Sequence, residues 1–352
     1  MPSEPRRVPW TRDEGRHRAT VSLGAGAGGV AHSGLRRLEC TMPLDKASLL
    51  RTGELVVSAI ASDEELFDKL VLKGGNALQL IHKIGARASI DYDFSMQDDV
   101  EDSAWLAARL ERAVQRHFEL EGYRVLDFKF TPRPARRPIV GQTNPRWGGY
   151  NATFKYMSAE DWAAAEGVGS QRFMKGQRAA LAHGDGARHD PTSEADEALT
   201  YRRNIGKKVE VEISKYEYTE GKQEVEVDGY PVYVYTLPMI AAEKLRAICQ
   251  QMAAHGQRRN PAPRPRDFYD IHACVQSGQV DLTQHLATVR GMFAAKEVPL
   301  SLLNHIPEYR SFHANAWGEV VSTVTGEKLE FFDHYFDFVL NEVARLQAAG
   351  VE

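Results

Sequence analysis

The chain has 352 residues, 43% of them hydrophobic, and a formal net charge of −4. That composition supports one large core or two modest ones. It excludes a general polycation, so any contact with nucleic acid must come from local patches.

Residues 1–41 are rich in Arg, Gly, Ser and Pro and lack a clear period. With the flexible run Gly24-Ala25-Gly26-Ala27-Gly28-Gly29 among them, they are expected to form a disordered N-terminal extension. They contain no apolar signal-peptide core, and no run in the chain is long enough to span a bilayer. The expected location is cytoplasmic, with no membrane partner. Three cysteines, Cys40, Cys249 and Cys274, lack C-x-x-C spacing, which argues against a disulfide framework or a zinc ribbon.

Residues 44–61 and 63–72 read as helical then extended, closing on Leu70-Val71-Leu72. The glycine pair Gly74-Gly75 follows, and residues 76–84 read as a short helix. Ser89 to Phe94 reads as a strand, and 103–121 as an amphipathic helix built on Trp105, Leu106, Leu110, Val114 and Phe118. Three further strands are expected at Tyr123–Phe130, Tyr150–Tyr156 and Lys208–Tyr218. The last alternates Val209, Val211 and Ile213 with Glu210, Glu212 and Ser214. Residues 158–200 are rich in Ala, Gly, His and Asp, broken by Gly184-Asp185-Gly186 and Asp190-Pro191, and read as a partly helical insertion ending in a mobile loop. Beyond Pro238 the pattern is helical, over 238–254, 266–278, 281–294 and 327–348. The fold class is α/β (α+β), with a mixed-sheet lobe over 42–236 and an α-helical lobe over 237–352. A cleft between such lobes is a common ligand site.

The chemistry concentrates in two adjacent segments. In Lys73-Gly74-Gly75-Asn76-Ala77-Leu78, the glycines let backbone N–H groups approach a phosphate. A helix that starts after them favours an anion there. In Arg87-Ala88-Ser89-Ile90-Asp91-Tyr92-Asp93-Phe94, strand alternation puts Asp91 and Asp93 on one face and Tyr92 and Phe94 on the other. Two adjacent carboxylates repel unless a proton or cation lies between them. A hard divalent ion, Mg²⁺ or Mn²⁺, takes such oxygens and keeps substrate phosphate as a further ligand. On its own, D-x-D also suits a solvated strand edge.

A two-metal clamp needs a third carboxylate on a neighbouring strand. Glu212 is the leading candidate, and Glu210, on the same strand face, is the alternative. Ser89 shares the face of Asp91 and can reach the phosphate or the metal shell, or make a local hydrogen bond. Arg87 suits phosphate or plain solvent. At about 100° per residue, Lys244 falls about 70° from the centre of the apolar stripe Ala241-Leu245-Ile248-Met252, while Glu243 points nearly opposite. A lysine at that margin lays its stem on the core and extends its ammonium into a cleft. Asp267 follows Pro265-Arg266 and also reads as a helix N-cap. Three basic patches, Lys129–Arg133–Arg136–Arg137–Arg146 beside Trp147 and Tyr150, Arg202–Arg203–Lys207–Lys208, and Arg258–Arg259–Arg264–Arg266, offer RNA-type phosphate contacts or ordinary solvated loops.

Glycine pair, short helix and D-x-D strand resemble the DNA polymerase β nucleotidyltransferase superfamily. The wording K-G-G-x-A-L followed by R-x-S-x-D-x-D-F is similar to the AbiEii/AbiGii toxin family, as are Ala242-Glu243-Lys244-Leu245-Arg246-Ala247 and Arg266-Asp267-Phe268-Tyr269-Asp270. Asn76 stands where the family often has threonine. The resemblance implies a nucleotidyltransferase toxin that moves NMP from an NTP to an RNA acceptor, most plausibly the tRNA 3′ end, with Mg²⁺ as cofactor. It implies metal ligands Asp91, Asp93 and Glu212, phosphate contacts from Lys73, Gly74, Gly75, Arg87, Ser89 and Lys244, and a functional role for Asp267. It also implies an antitoxin encoded nearby, without requiring a stable complex. A protein hydroxyl or small molecule as acceptor, and a silent nucleotide- or RNA-binding module, are the alternative readings.

Overall fold

The structure is a computed structural model that describes residues 46–85, 91–133, 147–164, 206–256, 260–276, 280–324 and 328–351. The expected N-terminal extension lies outside the described residues. So does the expected insertion from residue 165 onward; of its first residues, Ser158 ends a strand and 159–164 are helical.

Seven strands form one mixed sheet: β1 (Val71–Lys73), β2 (Asp91–Ser95), β3 (Tyr123–Arg133), β4 (Gly149–Ser158), β5 (Lys207–Ser214), β6 (Gln223–Val227) and β7 (Tyr230–Val234), in the order β3-β4-β5-β2-β1-β7-β6. This sheet, followed by helices, meets the α/β expectation. β1 runs antiparallel to β2 and parallel to β7, and β2 runs parallel to β5. Alternation then does what it must. Tyr92, Phe94, Val209, Val211 and Ile213 enter the core. Asp91, Asp93, Glu210 and Glu212 take the opposite face, with Asp91 beside Glu210 and Asp93 beside Glu212 in register.

Helices α1 (Lys46–Ala61) and α4 (Ser103–Leu120) pack on the core side. Between them in sequence lie α2 (Glu64–Lys69) and α3 (Gly74–Asn76). α3 runs directly into a π-helical turn, Ala77–Ile81, so the short helix expected after the glycines is real but irregular. Asp102 caps α4 by accepting from the Ala104 N–H, and Leu106, Leu110, Val114 and Phe118 are buried as expected.

The helical part comprises α5 (Leu237–Cys249), α6 (Pro265–Gln276), α7 (Leu286–Ala295), α8 (Arg310–Ala314), α9 (Trp317–Val321) and α10 (Phe332–Ala348), with 3₁₀ turns at Leu282–His285 and Leu300–Tyr309. α5 contacts both α6 and α7 and is buried almost all round. It therefore has no solvent face. Glu243, expected to point outward, instead lines a cavity, and Lys244 is buried rather than marginal.

β5 stops at Ser214, short of the expected Tyr218. Tyr216 takes a φ of 58°, which no strand sustains. That break turns Glu217 into the interior, where its N–H donates to the Met96 carbonyl. Leu44–Glu352 forms a single compact unit that contains both the sheet and these helices.

Candidate active site

Lys73 pairs with Asp93 across β1 and β2, and the chain turns sharply at once afterwards. Gly74 has φ +70°, and a Cβ there would meet Asp93 Oδ2 at 2.6 Å. Glycine is thus required twice over, by backbone conformation and by the closeness of the carboxylate. Asn76 ties the next residues to the same strand, its Nδ2 donating to the Asp91 carbonyl at 2.7 Å.

Asp91, Asp93 and Glu212 line a cavity of about 420 Å³ together with Lys73, Gly74 and Gly75. Burial pushes the Asp93 carboxyl up to about 6; Lys73 and Lys244 oppose the rise, and Glu212 and Glu243 add to it. Asp91 is raised by burial, then by Glu210 and Glu212. Glu210 is turned to Asn151 Nδ2 at 2.6 Å and Lys208 at 3.1 Å. Its carboxyl is lowered first by the Asn151 hydrogen bond. Glu212, the member that lines the cavity, is paired with Arg133 at 2.6 Å.

A divalent ion fits this donor set by chemistry: three carboxylates share one wall, and burial, with neighbouring acids adding to it, raises two of them. As they stand, among the described residues no three carboxylate, histidine or cysteine side chains are placed to hold one ion jointly.

The facing wall comes from α5 and α6. Lys244 Nζ lies 3.1 Å from Asp267 Oδ1 and 2.8 Å from Asp270 Oδ2, and Arg264 Nε also pairs with Asp267. Burial acts to raise the Asp267 carboxyl, but Arg264 and Lys244 hold it far below the usual range. α6 begins at Pro265, two residues before Asp267, so Asp267 is a first-turn residue whose carboxylate receives cations rather than the N-cap. Arg87 and Ser89 lie outside the described residues. So do Arg136, Arg137, Arg146, Arg202, Arg203, Arg258 and Arg259. Of the basic patches, Arg264 and Arg266 line the cavity beside Trp147, and Arg133 touches its Glu212.

A second charged group in this cavity escaped the sequence reading. Glu217 meets Lys73, Arg246 and Lys296, and Glu243 meets Arg246 and Lys73. Burial works to raise the Glu217 carboxyl, yet Arg246, Lys73 and Lys296 take it down to about 2. Of the group's members the sequence pointed to Lys73, beside the glycine pair, and to Glu243 and Arg246 in the block around Lys244, but not to Glu217 or Lys296.

A family described as "Nucleotidyl transferase AbiEii toxin, Type IV TA system" matches residues 56–342. The chain belongs to the AbiEii family. Its AbiEii membership makes it a nucleotidyltransferase toxin by family, with an NTP as substrate and an antitoxin as the implied partner. Among solved structures, one described as a "putative nucleotidyltransferase from H. pylori" is 14% identical, with a TM-score of 0.43, over 86% of this chain and 95% of that one. JHP933 from Helicobacter pylori is 12% identical, with a TM-score of 0.39, over 86% and 94%. Similarity this remote says nothing of substrate. No curated protein matches the chain. Among the described residues of this AbiEii chain, no helix is long and apolar enough to cross a membrane.

Proposed function

We propose that the protein transfers a nucleoside monophosphate from an NTP to an RNA acceptor, the 3′ end of tRNA, and so blocks translation. The observation that carries this reading is one cavity lined by Asp91, Asp93 and Glu212, by Gly74 and Gly75 beside them, and by the cationic side chains Lys73, Lys244, Arg246, Arg264, Arg266 and Lys296. Asp91, Asp93 and Glu212 would hold Mg²⁺ or Mn²⁺, which when bound supplies charge neutralisation at the reacting phosphate. The acceptor hydroxyl gives its proton to water, its oxygen bonds to the α-phosphorus in line, the bond from that phosphorus to the α–β bridging oxygen breaks, and pyrophosphate leaves. Gly74 and Gly75 offer backbone N–H groups to the phosphates. Lys244, fixed by Asp267 and Asp270, counters the charge that develops. Asp267 acts as a positioning residue by fixing Lys244 and Arg264. Trp147, exposed beside the cavity with Arg264 and Arg266, suits an unpaired base next to its phosphate.

The test is incubation of the protein with total tRNA, Mg²⁺ and each α-labelled NTP in turn, with Asp91→Ala as control. Label is expected in RNA with the native protein and not with the variant. Label in protein bands alone would replace RNA with a protein hydroxyl as acceptor. Label nowhere, with nucleotide bound, would leave a silent binding module.

A further inference from the structure

Away from the cavity, where α10 packs on α6, His272 and His334 bring their Nε2 atoms to 3.3 Å from each other. The ring centroids are 5.1 Å apart and the planes are inclined at 64°. The nitrogens are closer than the centroids, so the rings meet by their Nε2 edges and not by their faces.

Aromatic neighbours set this arrangement. The half-buried His272 ring stands edge-on to Tyr335 at 5.0 Å and to Phe338 at 4.7 Å, and His334 stands edge-on to Tyr335 at 5.2 Å. His334, Tyr335 and Phe338 lie within little more than one turn of α10, so a single helix face supplies one nitrogen and holds the ring that carries the other. His334 itself is exposed, which leaves the nitrogen pair open to solvent.

At 3.3 Å the pair is long for a hydrogen bond. The same spacing suits a metal ion. Two imidazole nitrogens bound to one tetrahedral zinc at about 2.0–2.1 Å stand about 3.3–3.4 Å apart. Burial lowers the His272 pKa, and His334 lowers it further, so the ring keeps its neutral, metal-binding form. Among the described residues no third histidine, cysteine or carboxylate joins the pair, so water would fill the remaining positions. Imidazole nitrogen suits Zn²⁺, Cu²⁺ and Ni²⁺, whereas Mg²⁺ takes oxygen.

We propose that His272 and His334 form a two-nitrogen site for a transition-metal ion of the Zn²⁺ type, which on binding ties α10 to α6. The site is separate from the carboxylate wall and does not rest on the nucleotidyl-transfer reading. It bears on the cavity through α6, whose Asp267 and Asp270 hold Lys244.

The probe is Zn²⁺, titrated calorimetrically into the full chain at neutral pH, with melting temperature as a second readout. The native protein is expected to bind it and to melt at a higher temperature in its presence. Asp91→Ala, which alters the carboxylate wall, should keep both effects. His334→Gln should weaken binding at least about tenfold, since changes beyond the ligands themselves already cost that much, and its melting temperature should no longer respond. His272→Gln should behave alike; if it does not fold, the exposed His334 decides. Equal Zn²⁺ affinity and equal melting shifts in the native protein and folded His334→Gln would overturn the site. Loss of binding in Asp91→Ala with retention in both histidine variants would place the ion on the carboxylate wall and remove the pair.

Discussion

Asp93 shows how far a single residue is set by its surroundings. Burial and the neighbouring acids Glu212 and Glu243 outweigh Lys73 and Lys244, and its carboxyl ends at about 6 against an ordinary 3.8. A raised native pKa means that ionisation works against folding. The cost is absent below the unfolded value, grows as pH rises toward the native one, and is complete above it. Asp93→Asn should therefore stabilise the metal-free protein at pH 8 by up to about 3 kcal/mol and leave it nearly unchanged at pH 4. Urea denaturation at the two pH values checks this, and equal shifts at both would contradict it. The pairing of Asp91 with Asp93 was legible in D-x-D because alternation is local. The state of Asp93 was not, since it depends on Glu212 and Glu243 arriving from distant strands and helices. Lys296 and Glu217 carried no visible signal at all, because a buried charge in sequence looks like a surface one.

At the scale of elements, Gly149 decides how closely β4 and β5 meet. A Cβ there would fall 1.9 Å from the Ile213 carbonyl oxygen, so the two strands would have to part. Asn151, two residues on, pairs in register with Glu212 and hydrogen-bonds Glu210. Gly149→Ala should thus cost about 1–3 kcal/mol of stability, the scale of an overpacked interior, and shift the carboxylates. Thermal unfolding of the variant is the check, and a native melting temperature would refute the close approach. The elements themselves were readable where a period ran long, as in α4 and in the alternation of β5. The β6–β7 hairpin was overlooked although Val227-Asp228-Gly229-Tyr230 carries its signature; Asp228 and Gly229 both take positive φ, 54° and 81°, as such a two-residue turn requires. The 3₁₀ run Leu300–Tyr309 has no comparable signal, since its turns are shaped by packing around Leu302, Leu303 and Ile306.

For the whole molecule, the question is how a chain of net charge −4 would hold a polyanion. Attraction must come from cations lining the cavity, of which Arg266 is the most open, at 43% exposure, with Glu319 3.8 Å away. Arg266→Ala should weaken RNA binding alike for all sequences and reduce the slope of log K against log salt by about one. Filter binding from low to high salt measures it, and an unchanged slope would place the RNA elsewhere. The sheet order carries one last consequence, for time rather than for space. Leu72 finds Val234, Asp93 finds Glu212, and the cavity closes only with side chains as far along as Lys296 and Glu319. Contacts between such distant segments form late, after loop-closure entropy has been overcome. A nascent chain emerging from the ribosome therefore holds its glycine pair and both aspartates long before it holds a working cavity.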